Sequence, residues 1–347
     1  MDKVNIAVIG AGWWANYNHI PTLKKNRSVA QIVVVDKQRE RLEVIKEKFN
    51  VAALYTSVDE MLDAELIHGA IVATPHTAHF TPALACIKKG IKLLIEKPMT
   101  TTAEDARNLV KLAEQHSVEV MMACGWNFTP YMLRAHEQIK AGKIGKIKHI
   151  AAQMASPTAD LFNGQPMKGT EADIFRPPSS TWADPKNAGG YSWGQMSHLL
   201  AALFYLVDED PETVYSNFQL SAAGVDYFDA AVVKTNKGTT ISLSGASTMP
   251  AHRGYMMDIR IFGTEGVLVF DIERERMEIM SNTGEDTPNE MVAGDGKYPE
   301  QPPVNRFVQL CKGEAVHNPA DATVGRRSVE TLYLMHQSAK SGKVEHL

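Results

Sequence analysis

Hydrophobic and polar positions along the first 123 residues fall into alternating blocks. Short apolar runs at 4–9, 31–35, 69–73, 91–95 and 119–123 are separated by charged, helically periodic segments at 38–48, 77–89 and 102–116. Runs such as IVVV and GAIVA carry almost no polar residue, which suits strands covered on both faces. Strand–helix alternation at this spacing predicts a doubly wound parallel sheet. The grammar changes after Gly125. A helix over 129–141 and a strand over 147–155 lead into a Pro/Ser/Asp-rich loop at 156–188, followed by a helix over 191–207. Six strand-like runs then follow in succession (212–221, 227–236, 239–247, 257–263, 266–271 and 276–281), with turn signals TNKGTT and GTEG between them. Strands without intervening helices predict a large, open, mainly antiparallel sheet. Residues 284–302 read as an exposed loop, and helices over 303–312 and 320–341 close the chain. The expected organisation is a dinucleotide-binding α/β domain over 1–123 and a second, substrate-binding and oligomerising α/β domain over 124–347.

Three stretches, 4–23, 66–87 and 187–207, lack Asp, Glu, Lys and Arg altogether. Each is long enough to cross a bilayer. Gly10, Gly12, Asn16 and Pro21 in the first, Thr74-Pro75-His76 in the second, and Gly189-Gly190, Gln195 and His198 in the third are too polar or helix-breaking for a lipid-facing helix. No membrane association is expected, and the charge-free runs point to buried walls instead. The 36 basic and 40 acidic side chains leave a formal charge of −4 without a basic tract, so a nucleic-acid partner is not expected. Cys86, Cys124 and Cys311 are odd in number and widely spaced, and residues 1–10 show no secretory signal. Both point to a cytoplasmic protein.

The first strand runs into Gly10-Ala11-Gly12-Trp13-Trp14-Ala15, a G-x-G-x-x-A loop at the start of a helix. Gly10 permits the tight turn, and Gly12 lets a pyrophosphate approach the backbone at a helix N-terminus. Asp36 ends the next strand, where a carboxylate accepts from ribose hydroxyls and repels a 2′-phosphate. NAD is the expected cofactor, with Lys37 leaving room for NADP. Thr74 and Pro75 end the next long strand at the ligand-binding edge of the sheet, and His76 and His79 follow on one helical face. Without a third ligand nearby those histidines make no metal site, so they are read with Trp13 and Trp14 as cofactor-side residues.

Beyond the Gly10–Ala15 loop and Asp36, the segments ATPHTAH, EKP (96–98), GWNFTP, IKAGKIGKI, WADPKNAGGYSWGQMSH, IRIFGTEGVLVFD and SAKSGKV occur in order. Together they resemble the Gfo/Idh/MocA oxidoreductases, a family named for glucose-fructose oxidoreductase and inositol dehydrogenase. The resemblance implies a Rossmann domain followed by an α/β domain, with the active site between them and Lys97 as catalytic lysine. A strand-end lysine beside a nicotinamide is suited to stabilising charge that develops on a reacting oxygen. It implies His198 as acid/base, a role for which imidazole titrates in the useful range, and puts Glu96 and Asn127 on the cofactor side. The family pattern G-G-G-x-x-x-D-x-G-x-H-x-x-D is broken here: Gly194, Met196 and Ala201 stand where Asp, Gly and Asp are usual. Either Gln195 or Tyr191 is then expected to serve in place of the carboxylate, or His198 works with Lys97 alone, with Trp126, Trp182 and Arg176 also lining the substrate pocket. The function expected is an NAD-dependent oxidoreductase acting on a secondary hydroxyl of a sugar, polyol or glycoside. The alternatives are a redox-neutral NAD-dependent glycoside hydrolase of the same fold, and a non-catalytic cofactor-binding regulator. A homodimer or homotetramer through the second-domain sheet is expected.

Overall fold

The computed structural model describes residues 3–347. Six parallel strands form the first sheet: β1 (Val4–Ile9), β2 (Val29–Val35), β3 (Ala53–Tyr55), β4 (Gly69–Val72), β5 (Lys92–Ile95) and β6 (Val120–Met122), in the order β3-β2-β1-β4-β5-β6. The chain reverses direction across the sheet between β1 and β4, the crevice where such folds bind ligands. Every residue of β4 and all but Asn5 of β1 are buried, as charge-free strands require. The helices around this sheet are α1 (Ile20–Lys25), α2 (Arg39–Phe49), α3 (Val58–Ala64), α4 (Phe80–Lys88) and α5 (Ala103–Gln115). Ser57 and Thr102 cap α3 and α5 by accepting from the N–H three residues on. The pattern of hydrophobic positions did not reveal β3 or α3. Ala53–Tyr55 is a half-buried edge strand of three residues, too short to show a period.

The second sheet has eight strands: β7 (Ile147–Ala155), β8 (Pro211–Leu220), β9 (Asp226–Thr235), β10 (Thr240–Ala246), β11 (Met256–Gly263), β12 (Gly266–Asp271), β13 (Arg276–Ser281) and the terminal β14 (Glu345–His346). Their order is β13-β12-β11-β7-β10-β9-β8-β14, antiparallel throughout except for β7 beside β10. Strands β9 and β10 alternate buried and exposed, so one face is covered and the other is open. The helices of this half of the chain are α6 (Pro130–Lys140), the one-turn α7 (Ala159–Phe162) and α8 (Ser179–Trp182), α9 (Ser197–Leu206), α10 (Pro302–Cys311) and α11 (Ala322–Ser341), of which α6, α7, α9 and α11 pack on the second sheet. All ten residues of α9 are buried, which explains its charge-free sequence.

The two sheets share helices. α10 packs on β4, β5 and β6, with Phe307 and Cys311 against Gly69. α11 lies against both α5 and β8. Residues after 300 therefore cover the first sheet as well as the second. No helix is long and apolar enough to cross a membrane among the described residues.

Candidate active site

Gly10 has φ +100°, and a Cβ there would lie 2.5 Å from the Ala73 carbonyl oxygen, so only glycine fits. A Cβ at Gly12 would meet nothing within 4 Å. The first helical turn after it, a π-turn over Ala15–His19, has no side-chain cap. The uncapped start of this helix and the space over Gly12 fit a dinucleotide pyrophosphate. Asp36 accepts from Ala11 N–H at 2.8 Å and Gln38 N–H at 2.9 Å, with Arg41 at 3.8 Å. A carboxylate with about four acceptor sites retains capacity for a ribose hydroxyl after those two bonds. Asn16, missed in the sequence, clamps the loop from behind by donating to Ala11 and Gly12 carbonyls at 2.8 and 2.7 Å. Trp13 reaches out instead, donating to Asp173 Oδ2 at 2.7 Å on the 163–178 loop. Trp14 lies beside Trp13, ring centres 5.3 Å apart, and also meets His19 and Tyr298.

The carboxyl ends of β4 and β5 carry the next residues. Thr74 Oγ1 donates to the Ala78 carbonyl at 2.9 Å, and Pro75 leads into a single 3-10 turn beginning at His76. His79 bridges the carbonyls of Pro98 (2.7 Å) and Thr74 (2.8 Å), tying β4 to the cis Lys97–Pro98 turn after β5. His76 contacts the Ala188 carbonyl at 2.9 Å and meets the Trp182 ring edge-on. Burial, reinforced by the Lys97 charge, lowers its pKa to about 3, so it is neutral. Glu96 pairs with the buried His19 at 2.9 Å, so it braces the π-turn behind the cofactor loop. His19 was not singled out in the sequence. A polar residue in a charge-free run was the one available signal. Among the described residues no group of three His, Cys, Asp or Glu is placed to hold a metal.

Lys97 is buried. Its Nζ donates to the Gly194 carbonyl at 2.5 Å and lies 4.9 Å from the centre of the Trp182 ring. Desolvation lowers its pKa against the opposing charge of Glu96. Gly194 sits in a second π-turn, Ser192–Met196, immediately before α9. Such turns recur at functional sites, and here both flank the cleft. Asp226 fixes the start of this one, accepting from Ser192 N–H at 2.5 Å. Asp229 lies buried beside Asp226, and both of its oxygens lack hydrogen-bond partners. Burial and the neighbouring carboxylate push its pKa well up.

His198, one turn on from Gly194, is packed edge-on between the rings of Trp126 (5.6 Å) and Tyr298 (5.2 Å). Burial and then the nearby Lys97 charge hold its pKa well below the usual imidazole value, so the ring is neutral at pH 7. His198 Nδ1 and Trp126 Nε1 are both buried without partners. Buried polar atoms are normally paired, so two orphans at one cleft fit a polar ligand.

Lys97, His198, Trp126, Trp182, His76 and Gly194 thus converge. Other residues singled out in the sequence lie elsewhere. Asn127 donates to the Ala201 and Pro319 carbonyls at 3.0 and 2.9 Å, anchoring α9. Arg176 is tied within its own loop, to Thr170 Oγ1 and the Met167 carbonyl. Tyr191 is fully buried against Phe162 and Ser156. Gln195 is buried next to Gly194 on the same turn. Neither side chain fills the place of the missing carboxylate: a Cβ at Gly194 would meet Trp182 Cζ3 at 2.9 Å and Phe162 Cζ at 3.0 Å, so two aromatic rings hold that volume. The segment 284–302 is the largely exposed loop expected, and it also folds Tyr298 into the site. The tyrosine hydroxyl donates to the Ala123 carbonyl and accepts from Gly125 N–H.

Comparison with known proteins agrees with this geometry. Residues 4–124 match the model of an oxidoreductase family with an NAD-binding Rossmann fold, and residues 132–269 match the GFO/IDH/MocA C-terminal domain. An uncharacterized oxidoreductase of Synechocystis is 24% identical over 77% of this chain and 71% of that protein. A D-xylose 1-dehydrogenase (NADP+) of Hypocrea jecorina is 26% identical over 62% of this chain, but the match spans only 56% of that enzyme. Among solved structures, the WlbA dehydrogenase of Chromobacterium violaceum, in complex with NADH and UDP-GlcNAcA, superposes with TM-score 0.79. The identity is 22%, covering 100% of this chain and 96% of that one, a likeness of fold.

Proposed function

The chain belongs to the Gfo/Idh/MocA family of NAD-binding oxidoreductases, and from that premise we propose that it oxidises a secondary hydroxyl of a sugar, polyol or glycoside. The observation that carries this reading is the meeting of a buried ammonium, Lys97, with a neutral buried imidazole, His198, in an aromatic-walled cleft. The Gly10–Ala15 loop, Asp36 and the Thr74 strand end would hold NAD or NADP. The chemistry such a cofactor would supply is an acceptor for the hydride lost from the oxidised carbon. Lys97, held by the Gly194 carbonyl, retains donor hydrogens for the substrate oxygen and stabilises the charge growing there. His198, already unprotonated, takes the hydroxyl proton. The half-buried Trp182 gives an apolar wall for sugar C–H surfaces, and the buried Trp126 backs His198. We assign cofactor binding to residues 1–123 and substrate binding to 124–347, with self-association through the open face of the second sheet.

The redox-neutral glycoside-cleaving reading is favoured by one observation: Gly194 and Ala201 stand where the family pattern has its carboxylates around His198. A curated relative matching 42% of this chain at 27% identity is the 2,7-anhydro-N-acetylneuraminate hydratase of Mediterraneibacter gnavus. A panel of sugars and aryl glycosides with NAD and NADP separates the two readings, since a dehydrogenase accumulates reduced cofactor and a redox-neutral enzyme releases aglycone without it. Lys97→Ala should abolish turnover in either case while NAD affinity stays within about twofold. Normal turnover, or lost NAD binding, would remove Lys97 from the chemistry.

A further inference from the structure

An aromatic surface leaves the catalytic cleft and reaches solvent. Tyr298, against His198, lies 4.7 Å from Trp126 and 6.4 Å from both Tyr255 and Trp14. Trp14 in turn stacks on Tyr17, whose ring centre is 5.5 Å away. Burial falls along this path: His198 is 7% exposed, Trp14, Tyr255 and Tyr298 are half-buried, and Tyr17 is 48% exposed. A large aromatic side chain left open beside other rings is costly to hydrate unless something covers it.

One acid faces the same surface. Glu300 is held in place by its backbone carbonyl, which accepts from Asn18 Nδ2 at 2.9 Å, next to the π-turn that carries Tyr17. Its carboxylate is half-buried and has no ion-pair or hydrogen-bond partner among the described residues. It is close enough to Tyr17 and Tyr255 that its charge raises the pKa of both phenols, and burial raises its own. An unpaired acceptor on an anchored backbone, beside flat apolar rings, matches a sugar ring, which offers an apolar C–H face and hydroxyl donors at its edge.

We propose that Tyr17, Trp14, Tyr255 and Glu300 form a subsite for a second sugar ring, so that the substrate is a disaccharide or larger glycoside rather than a free monosaccharide. This rests on the sugar-oxidising reading of the cleft and sharpens it. The rings stack on the second sugar, and Glu300 accepts from one of its hydroxyls.

The test uses NAD-loaded full-length protein with methyl, glucosyl and 4-nitrophenyl glycosides of the common hexoses and pentoses. Binding is read by tryptophan fluorescence and turnover by NADH absorbance. For the sugar configuration that binds, the disaccharide should bind about tenfold tighter than the methyl glycoside. Glu300→Gln and Tyr17→Ala should each remove that gain and leave the methyl glycoside unchanged. The nitrophenyl glycoside should respond to Tyr17→Ala alone. Equal affinity for one ring and two, a gain that survives both substitutions, or an equal gain from the nitrophenyl ring would overturn the proposal. NADH formation without any second-ring preference rejects the subsite and keeps the oxidoreductase reading. A Glu300-dependent preference without NADH does the reverse, and no sugar binding at all rejects both.

Discussion

Gly194→Ala tests how the cleft is built where the family pattern breaks. The added Cβ would lie 2.9 Å from Trp182 Cζ3 and 3.0 Å from Phe162 Cζ, against an ordinary carbon–carbon contact of about 3.5–4.0 Å. Neither ring is free to retreat. Phe162 is fully buried and meets Trp182 and Tyr191 edge-on. Trp182 is held on its other sides by Lys97, at 4.9 Å, and by His76, at 5.0 Å. Overpacking of this kind costs about 1–3 kcal/mol, and replacing a helical glycine returns up to about 1 kcal/mol. The net expectation is a loss of about 1–2 kcal/mol. Trp182→Phe removes the indole carbon nearest the new methyl, so the loss should shrink by about 1 kcal/mol in that background. Urea unfolding read by fluorescence and by far-UV circular dichroism measures both, with coincident transitions licensing a two-state reading. A neutral or stabilising Gly194→Ala would refute the steric argument. So would a double-mutant cycle additive to within about 0.5 kcal/mol.

Two further outcomes concern buried titrating groups. His76 has a folded pKa of about 3 against 6.5 unfolded, so its contribution is complete above pH 6.5 and is lost as the unfolded chain takes up the proton. From pH 7 to pH 5 this amounts to about 2 kcal/mol, and the urea midpoint of His76→Asn should depend less on pH over that window; an unchanged pH slope would count against it. Asp229 has a raised folded pKa, so stability is full below the unfolded carboxyl value and declines as pH rises toward the folded one. Asp229→Asn should therefore raise the melting temperature relative to the parent at pH 8 and make little difference at pH 4, and a lower melting temperature at pH 8 would show that the carboxylate is needed.

The parts of this molecule legible in the sequence are those whose chemistry is local. Buried parallel strands must be apolar on both faces, so β1, β4 and β5 read directly, and Gly10, Asp36 and Lys97 sit at the strand ends where a doubly wound fold exposes its ligand edge. Side-chain direction was not legible. Trp126 and Asn127 are adjacent on one 3-10 turn, yet one faces the cleft and the other anchors α9. Arg176 looked available because a Pro-rich loop shows no period that would reveal its bonds to Thr170 and Met167 of the same loop. Tyr298 reaches the site from a loop with no pattern, about 100 residues beyond His198 in sequence.

The charge-free runs join these observations. Residues 4–23 supply Trp14 and His19, 66–87 supply His76 and His79, and 187–207 supply Gly194 and His198, so three uncharged walls surround a single buried ammonium. An ammonium in such a place needs oxygen partners. Lys97 finds one in the Gly194 carbonyl and a nearby negative charge in Glu96, which His19 holds. A carboxylate at position 194 would have met that need and, by its charge, favoured a protonated His198. With a backbone carbonyl there instead, nothing opposes burial and Lys97 in keeping His198 unprotonated. In the reaction proposed above, glycine at position 194 therefore goes with a division of labour in which Lys97 is the donor and the unprotonated His198 the base.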